Sequence, residues 1–346
     1  MTCDPDGFLP SVSCEMLRLR AEVLQAIRSV FAAEGYWEVE TPLLSQETII
    51  DAHLQPVVVR LEGLPPLYLQ TSPELGMKRL LVAGAEAIFQ VTRAFRACEQ
   101  GARHNPEFTM VEWYRVGDSY FDQMAFTQRL VQAAATAAAE SAWFERLCGR
   151  SRPEDCRSYF GRDFGRLRYD EAFERLAGER VLGRDVSALA RLAARAGLSV
   201  PDSLHADDID GWLNLLFVEL IEPHLGRERP VFVYDYPETQ AALARLRRDD
   251  SPVAERFELY LRGIEVCNGY QELTDAQAIR QRFEEQQDLR QRAGWPTLPL
   301  PRRFLAAHEA GLPFCAGVAL GLDRLMMAIV EAESLADVMA FPFDRA

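Results

Sequence analysis

The sequence predicts an α+β fold, a mostly antiparallel sheet with helices packed on it. Strand-like segments concentrate towards the two ends of the chain with helical ones between them, and no βαβα repeat of the kind that builds a parallel sheet runs through it. Apolar residues make up 48% and charged residues 26%, the composition of a chain with a buried core rather than of a disordered or collagenous one. Neither an internal repeat nor a dividing linker appears, so one domain over residues 1–346 is expected.

The elements follow in order. Between Ser13 and Glu34, Leu17, Ala21, Leu24, Ile27 and Phe31 recur every three or four residues, and Gly35 stands at the stop position, so a helix is expected. Tyr36 to Thr41 alternates and is aromatic and β-branched, a strand closed by Pro42. Residues 67–71 and 86–95 read as short apolar strands around a helix from about Pro73 to Val82, and an Ala-rich helix is expected over Phe121 to Trp143. The stretch Arg146–Arg168 carries seven arginines against three acids and includes Gly149, Pro153, Gly161 and Gly165, which predicts an Arg-rich surface loop inserted in the domain. Helices are expected near 169–177, 187–196 and 206–222, a strand over Val231–Tyr236, a hairpin over 254–273, helices near 276–293 and 299–310, and a strand-helix unit over 314–332.

Composition narrows the class of function. Lys+Arg total 38 against 52 Asp+Glu, a net charge of −14, which argues against a general nucleic-acid or membrane-surface binder while leaving room for a local basic patch. Of the 38 cations only Lys78 is a lysine. The seven cysteines (Cys3, Cys14, Cys98, Cys148, Cys156, Cys267, Cys315) are scattered without C-x-x-C, which speaks against structural zinc and for a reducing compartment. The N-terminus has neither a basic nor an apolar targeting region and no 18-residue apolar run occurs, so a cytoplasmic protein is expected.

Neither G-x-x-x-x-G-K-[ST] nor G-x-G-x-x-G occurs, which excludes P-loop and Rossmann readings. Three other segments carry chemistry. In Gly317-Val318-Ala319-Leu320-Gly321-Leu322-Asp323-Arg324 the small residues 317, 319 and 321 share a strand face on which a flat ligand can lie, with Arg324 opening a helix behind it. In the hairpin Phe257–Glu265, a two-residue turn at Arg262-Gly263 sets 260 opposite 265 and 258 opposite 267. Glu258, Tyr260, Glu265 and Cys267 then share a face with the two carboxylates about 7 Å apart. Such a pair either holds Mg²⁺ between nucleotide phosphates or is merely solvated. Glu272 joins that face only if Asn268-Gly269 forms a bulge. Third, Phe95-Arg96 and Arg103-His104-Asn105-Pro106-Glu107-Phe108, read as strand, loop and returning strand, bring a guanidinium for phosphate and an aromatic ring for a base to one pocket.

Together these pieces resemble the class II aminoacyl-tRNA synthetase catalytic domain, in its lysyl branch. Gly35 to Leu43 is similar to motif 1, with Pro42 at the family's dimer interface; Phe95 to Glu112 to motif 2; Gly317 to Arg324 to motif 3. Thr71-Ser72-Pro73-Glu74 and Glu265 to Leu273 are similar to the lysyl pocket segments. The resemblance spans nearly the whole chain. It implies that Arg96 and Arg324 are catalytic and bind the ATP phosphates, with His104, Asn105, Phe108, Val266 and Gly321 completing the nucleotide site. Glu258 and Glu265 would hold Mg²⁺; Ser72, Pro73, Glu74, Tyr114, Asn268, Glu272 and Ala319 would line the amino-acid pocket. Glu74 and Glu272 would each meet one ammonium group of a diamino acid. Lys78 matches a helix position of the family and is read as structural.

Two departures point to a branch. The motif 1 helix begins by about residue 13, leaving no room for an anticodon-binding domain, and the middle glycine of motif 3 is Ala319. Both features resemble the stand-alone elongation factor P–(R)-β-lysine ligases. The activity so implied is ATP-dependent formation of a β-lysyl adenylate and transfer to a lysine of translation elongation factor P, by a homodimer with no membrane association. A truncated lysyl-tRNA synthetase is the alternative, disfavoured by the −14 charge because tRNA binding rests on phosphate neutralisation; a non-catalytic regulatory paralogue is the other. Where the family's motif 2 has a glutamate for the adenine amino group, this chain has Cys98 followed by Glu99. A shifted loop using Glu99, backbone carbonyls in its place, or weakened ATP binding are the three possibilities. The Arg146–Arg168 stretch is either a docking element for an acidic acceptor or a solvated insertion.

Overall fold

The computed structural model describes residues 8–150, 152–247 and 253–346; Cys3 and the N-terminal residues considered above for targeting lie outside them. The first third runs α1 (Cys14–Ala33), β1 (Trp37–Glu38), β2 (Leu44–Ser45), β3 (Val58–Val59), β4 (Leu67–Leu69), α2 (Glu74–Val82), β5 (Ala87–Phe95) and β6 (Glu107–Val116). A helical middle follows: α3 (Tyr120–Glu140), α4 (Ala142–Cys148), α5 (Arg152–Phe160), the short β7 (Gly165–Arg168), α6 (Tyr169–Ala177), α7 (Val186–Arg195) and α8 (Ile209–Leu216). The last third holds β8 (Val231–Pro237), β9 (Leu246–Arg247), β10 (Val253–Leu261), β11 (Ile264–Gln271), α9 (Ala276–Arg292), α10 (Arg302–Gly311), β12 (Cys315–Gly321) and α11 (Leu322–Val330).

A nine-stranded sheet runs β1-β5-β6-β12-β11-β10-β8-β7 with β9 beside β10, and β2-β4-β3 form a small second sheet. The central ladders are antiparallel, as predicted; β1 on β5 and β7 on β8 are parallel. Strand alternation gives the main sheet two different faces. Val111, Trp113, Phe257, Leu259, Val318 and Leu320 point into the core beneath α1, α3 and α11. Their neighbours Glu112, Tyr114, Glu258, Asn268 and Ala319 point to the other side, into an open cavity. Period-two burial thus builds the core and the site from the same strands.

Five expectations need correction, the last of them in the hairpin. The buried stripe of α1 is Met16, Leu19, Val23, Ile27 and Phe31, while Ala21 is exposed. The two apolar series share Ile27 and Phe31, which stacks on Phe89 at 4.1 Å, and differ in the first three turns. The strand expected over 36–41 ladders only at Trp37–Glu38. The helix expected over 206–222 ends its α turns at Leu216 and continues as a π turn, Phe217–Ile221. The stretch 146–168 is no inserted loop: α4 runs through Cys148, α5 buries Cys156, Tyr159 and Phe160, and β7 pairs with β8. Apolar burial of α5 against α3 outweighs its charge. Its arginines are also engaged, Arg152 with Glu331 and Arg157 with the Ala139 carbonyl at 3.0 Å.

The hairpin turns at Arg262 (φ +54°) and Gly263 (φ +77°), as predicted, with Tyr260 opposite Glu265. Further along, Leu259 faces Cys267 and Glu258 faces Asn268, so the bulge lies at Val266 and not at Asn268-Gly269. That extra residue turns Cys267 into the core and brings Asn268, Tyr270 and Glu272 round to the face of Glu258.

Candidate active site

The cavity over the open sheet face has a volume of about 800 Å³. Ser72, Glu74, Arg96, His104, Asn105, Phe108, Tyr114, Glu258, Glu265, Val266, Asn268, Glu272, Ala319, Gly321 and Arg324 all line it. Of the residues assigned from the sequence to the nucleotide, metal and amino-acid sites, only Pro73 is not at its wall; it stands at the N-terminus of α2, directly before Glu74. Gly317 shows why small residues recur on β12. A Cβ there would lie 2.3 Å from the Tyr114 ring.

At one end the polar groups suit a polyphosphate and a flat base. Arg96, directly after β5, lies 5.1 Å over the ring of Phe108 on the adjacent strand β6. Arg324, on the first turn of α11, donates to the Glu265 carbonyl at 3.0 Å and reaches His104 Nε2 at 2.7 Å. A guanidinium can only donate, so that nitrogen accepts and the imidazole is neutral; burial and the Arg324 charge both push the His104 pKa down. Asn105 lines the cavity, but its amide is occupied, donating to the Glu107 carbonyl at 2.6 Å and accepting from the Phe343 N–H at 2.9 Å. Cys98 is exposed with φ +67°, and this left-handed residue turns the chain so that Glu99 lines the cavity, 3.7 Å from Arg96. Of the three possibilities for motif 2, that geometry matches the shifted loop.

Among the described residues no group of three or more His, Cys, Asp or Glu is arranged for a metal ion. Magnesium bound with nucleotide phosphates needs only one or two carboxylates. Glu265 fits: burial and the neighbouring Glu258 charge raise its pKa, a strain that a divalent cation would relieve. Glu258 fits less freely. One of its oxygens accepts both the Tyr236 and Tyr260 hydroxyls, at 2.6 and 2.5 Å, and the other accepts from Arg256 at 2.5 Å. One lone pair on that second oxygen is left for a metal.

The other end of the cavity differs most from expectation. Glu74 and Glu272 do not wait as separate carboxylates. Lys78, fully buried one turn along α2 from Glu74, lies 2.5 Å from both. Burial alone would lower its pKa; the Glu272 and Glu74 charges outweigh it and keep the ammonium form. A third carboxylate, Glu112, accepts from the Ser72 and Tyr114 hydroxyls, each at 2.7 Å. Burial, then the Glu74 charge, push the Glu112 pKa up to about 8, and burial raises Glu272 to about 7 against the pull of Lys78. Sequence reasoning missed Glu112 and set Lys78 aside. Both were within reach: Glu112 lies between Phe108 and Tyr114 at the same strand parity, and Lys78 is four residues from Glu74 on a helix.

The family model for tRNA synthetases class II (D, K and N) matches residues 10–345. Curated proteins named elongation factor P–(R)-β-lysine ligase, from Salmonella dublin and Salmonella agona among others, are 43% identical over 343 residues, covering 97% of this chain and 98% of theirs. The chain belongs to the class II synthetase family, in the branch of these ligases. The family is one of ATP-dependent amino-acid activation, and the cavity end built from Arg96, Phe108 and Arg324 is the part of this member that corresponds to motifs 2 and 3. Among the described residues no helix is long and apolar enough to cross a membrane.

Proposed function

We propose that the protein activates (R)-β-lysine with ATP and transfers it to a lysine side chain of elongation factor P. One observation carries this beyond the names of its relatives: three carboxylates, Glu74, Glu112 and Glu272, line the same cavity as Arg96 and Arg324, with the buried Lys78 paired to Glu74 and Glu272. A dry, anionic recess suits a substrate with two amino groups, because each ion pair there is stronger than in water. The substrate carboxylate attacks the α-phosphorus in line and pyrophosphate leaves. Arg96 and Arg324 hold the phosphate oxygens and stabilise the charge that develops, Phe108 stacks on adenine, and Glu99 takes the place of the missing motif 2 glutamate. Glu265 and one oxygen of Glu258 would hold Mg²⁺, which would supply further charge neutralisation. The acceptor amine then attacks the carbonyl carbon and AMP leaves. The chain offers no competing side-chain amine, because its one lysine is Lys78, buried and held as an ammonium ion.

Intact-mass analysis of elongation factor P after incubation with the protein and ATP tests the reading. One lysyl-sized mass addition is expected with (R)-β-lysine, more than with α-lysine, and none on tRNA. Equal charging of tRNA would favour a truncated synthetase instead.

The proposal includes a cytoplasmic homodimer. Trp37, Leu43 and Leu44, on either side of Pro42, are 57%, 41% and 37% exposed, an apolar strip that suits a second copy. Trp37→Glu is expected to convert a dimer to a monomer in light scattering. A wild-type protein that is already monomeric at micromolar concentration would remove this part of the proposal.

A further inference from the structure

The amino-acid end of the cavity holds more negative groups than it can keep ionised. Glu74 and Lys78 project from α2, Glu112 from β6 and Glu272 from the end of β11; Lys78, Glu112 and Glu272 are 0%, 1% and 2% exposed. Two fully buried carboxylates and the part-exposed Glu74 are therefore grouped with a single ammonium. The other ionisable groups around the cluster add no cation: Tyr114 on the strand of Glu112 has its pKa raised by burial and by Glu112, Cys315 on β12 has its thiol raised by burial and by Glu272, and His308 on α10 is pushed down to about 4 by burial and Lys78. Gln90, opposite Glu112 on β5, is neutral. Burial of unbalanced charge is relieved by taking up a proton. Glu112 is the place for it, since Lys78 contacts the other two carboxylates while Glu112 meets only the hydroxyls of Ser72 and Tyr114, which can accept from a carboxylic acid as readily as they donate to a carboxylate.

We propose that the cluster binds its diamino acid in exchange for a proton: Glu112 is neutral in the free protein and becomes the carboxylate that meets the incoming second ammonium group, with Lys78 as the fixed counter-ion between Glu74 and Glu272. The proton passes to solvent. Loss of the proton leaves a negative charge for the second ammonium group, so an amino acid with a single ammonium group leaves Glu112 protonated. This rests on the functional reading above, because it takes a diamino acid to be the ligand.

Calorimetric titration of the full-length protein with (R)-β-lysine or L-lysine at pH 7, in buffers of different ionisation enthalpy, counts the protons released. Release of about one proton per ligand from Glu112 is expected, because pH 7 lies below its raised value and above that of an ordinary glutamate, while any release from Glu272, raised to about 7, is common to wild type and Glu112→Gln. Glu112→Gln, which keeps the shape of the protonated form, is expected to bind with that release lost. Wild-type binding without proton release, or release unchanged in E112Q, overturns this inference and leaves the ligase reading standing. No binding of either isomer overturns both. Should E112Q fail to fold, wild-type titrations at pH 6 and pH 9 decide: release that stays at one proton at pH 9, where Glu112 is already ionised, assigns the proton elsewhere and overturns the inference.

Discussion

Arg324→Ala is expected to lower amino-acid-dependent ATP–pyrophosphate exchange by about 10²–10³-fold, or about 2.7–4 kcal/mol, the usual loss when one preorganised donor to developing charge is removed. Arg324 stands at the N-terminus of α11, and its aim is set from behind. Asp323 beside it accepts the Thr109 N–H at 2.7 Å and pairs with Arg20 of α1 at 2.7 Å. The helix start is thereby pinned to the returning strand of motif 2. Arg324→Lys should recover little, because an ammonium cannot span the Glu265 carbonyl and His104 as the guanidinium does. Exchange within threefold of wild type in R324A would refute the assigned role.

Lys78→Met is expected to be the most destabilising single change proposed here, by about 3–5 kcal/mol in denaturant titration, since removing one partner of a buried ion pair leaves uncompensated charge. Lys78 and Glu272 side chains are 0% and 1% exposed, so solvent cannot take over. Adding Glu272→Gln to the variant should recover part of the loss, a non-additivity that separates charge balance from lost packing. The pH dependence has a definite sign. Glu112 and Glu272 have folded values raised above the unfolded carboxylate value, to about 8 and about 7. The native state therefore holds more protons than the unfolded state between about pH 4.3 and pH 8, and the contribution of these two groups to stability falls as pH rises through that window. Lys78, raised in the native state, contributes below the unfolded lysine value near 10.4 and is constant across the same window. In K78M the fall between pH 5 and pH 8 should steepen. An unchanged slope would mean that Lys78 does not balance these carboxylates.

Much of the site was legible because its parts are local. Phe95-Arg96, the loop through His104, Phe108, and the glycine-spaced strand ending in Arg324 each sit within one strand-turn unit, where spacing and parity decide direction. The reading was less successful where a single residue changes parity. Asn268-Gly269 was the better bulge signal, yet Val266 takes the bulge, because the apolar face of β11 must keep Cys267 over the core opposite Leu259 while Glu265 and Asn268 face the cavity. The arginine-rich stretch misled for a related reason. Seven positive charges suggested solvent, but three buried side chains on α5 decided its fate.

The amino-acid sequence by itself determined the α+β class, the order and type of most elements, the branch of the family, and the two arginines of the nucleotide end, since all of these depend on patterns short enough to be read along the chain. The tertiary structure alone decided how charge is balanced. That Lys78 lies between Glu74 and Glu272, that Glu112 makes a third carboxylate beside them, and that Glu258 is already held by Arg256 and two tyrosines depends on residues up to almost two hundred positions apart meeting where water is excluded. Electrostatic energy varies with distance and burial in space, and neither is a property of spacing along a chain.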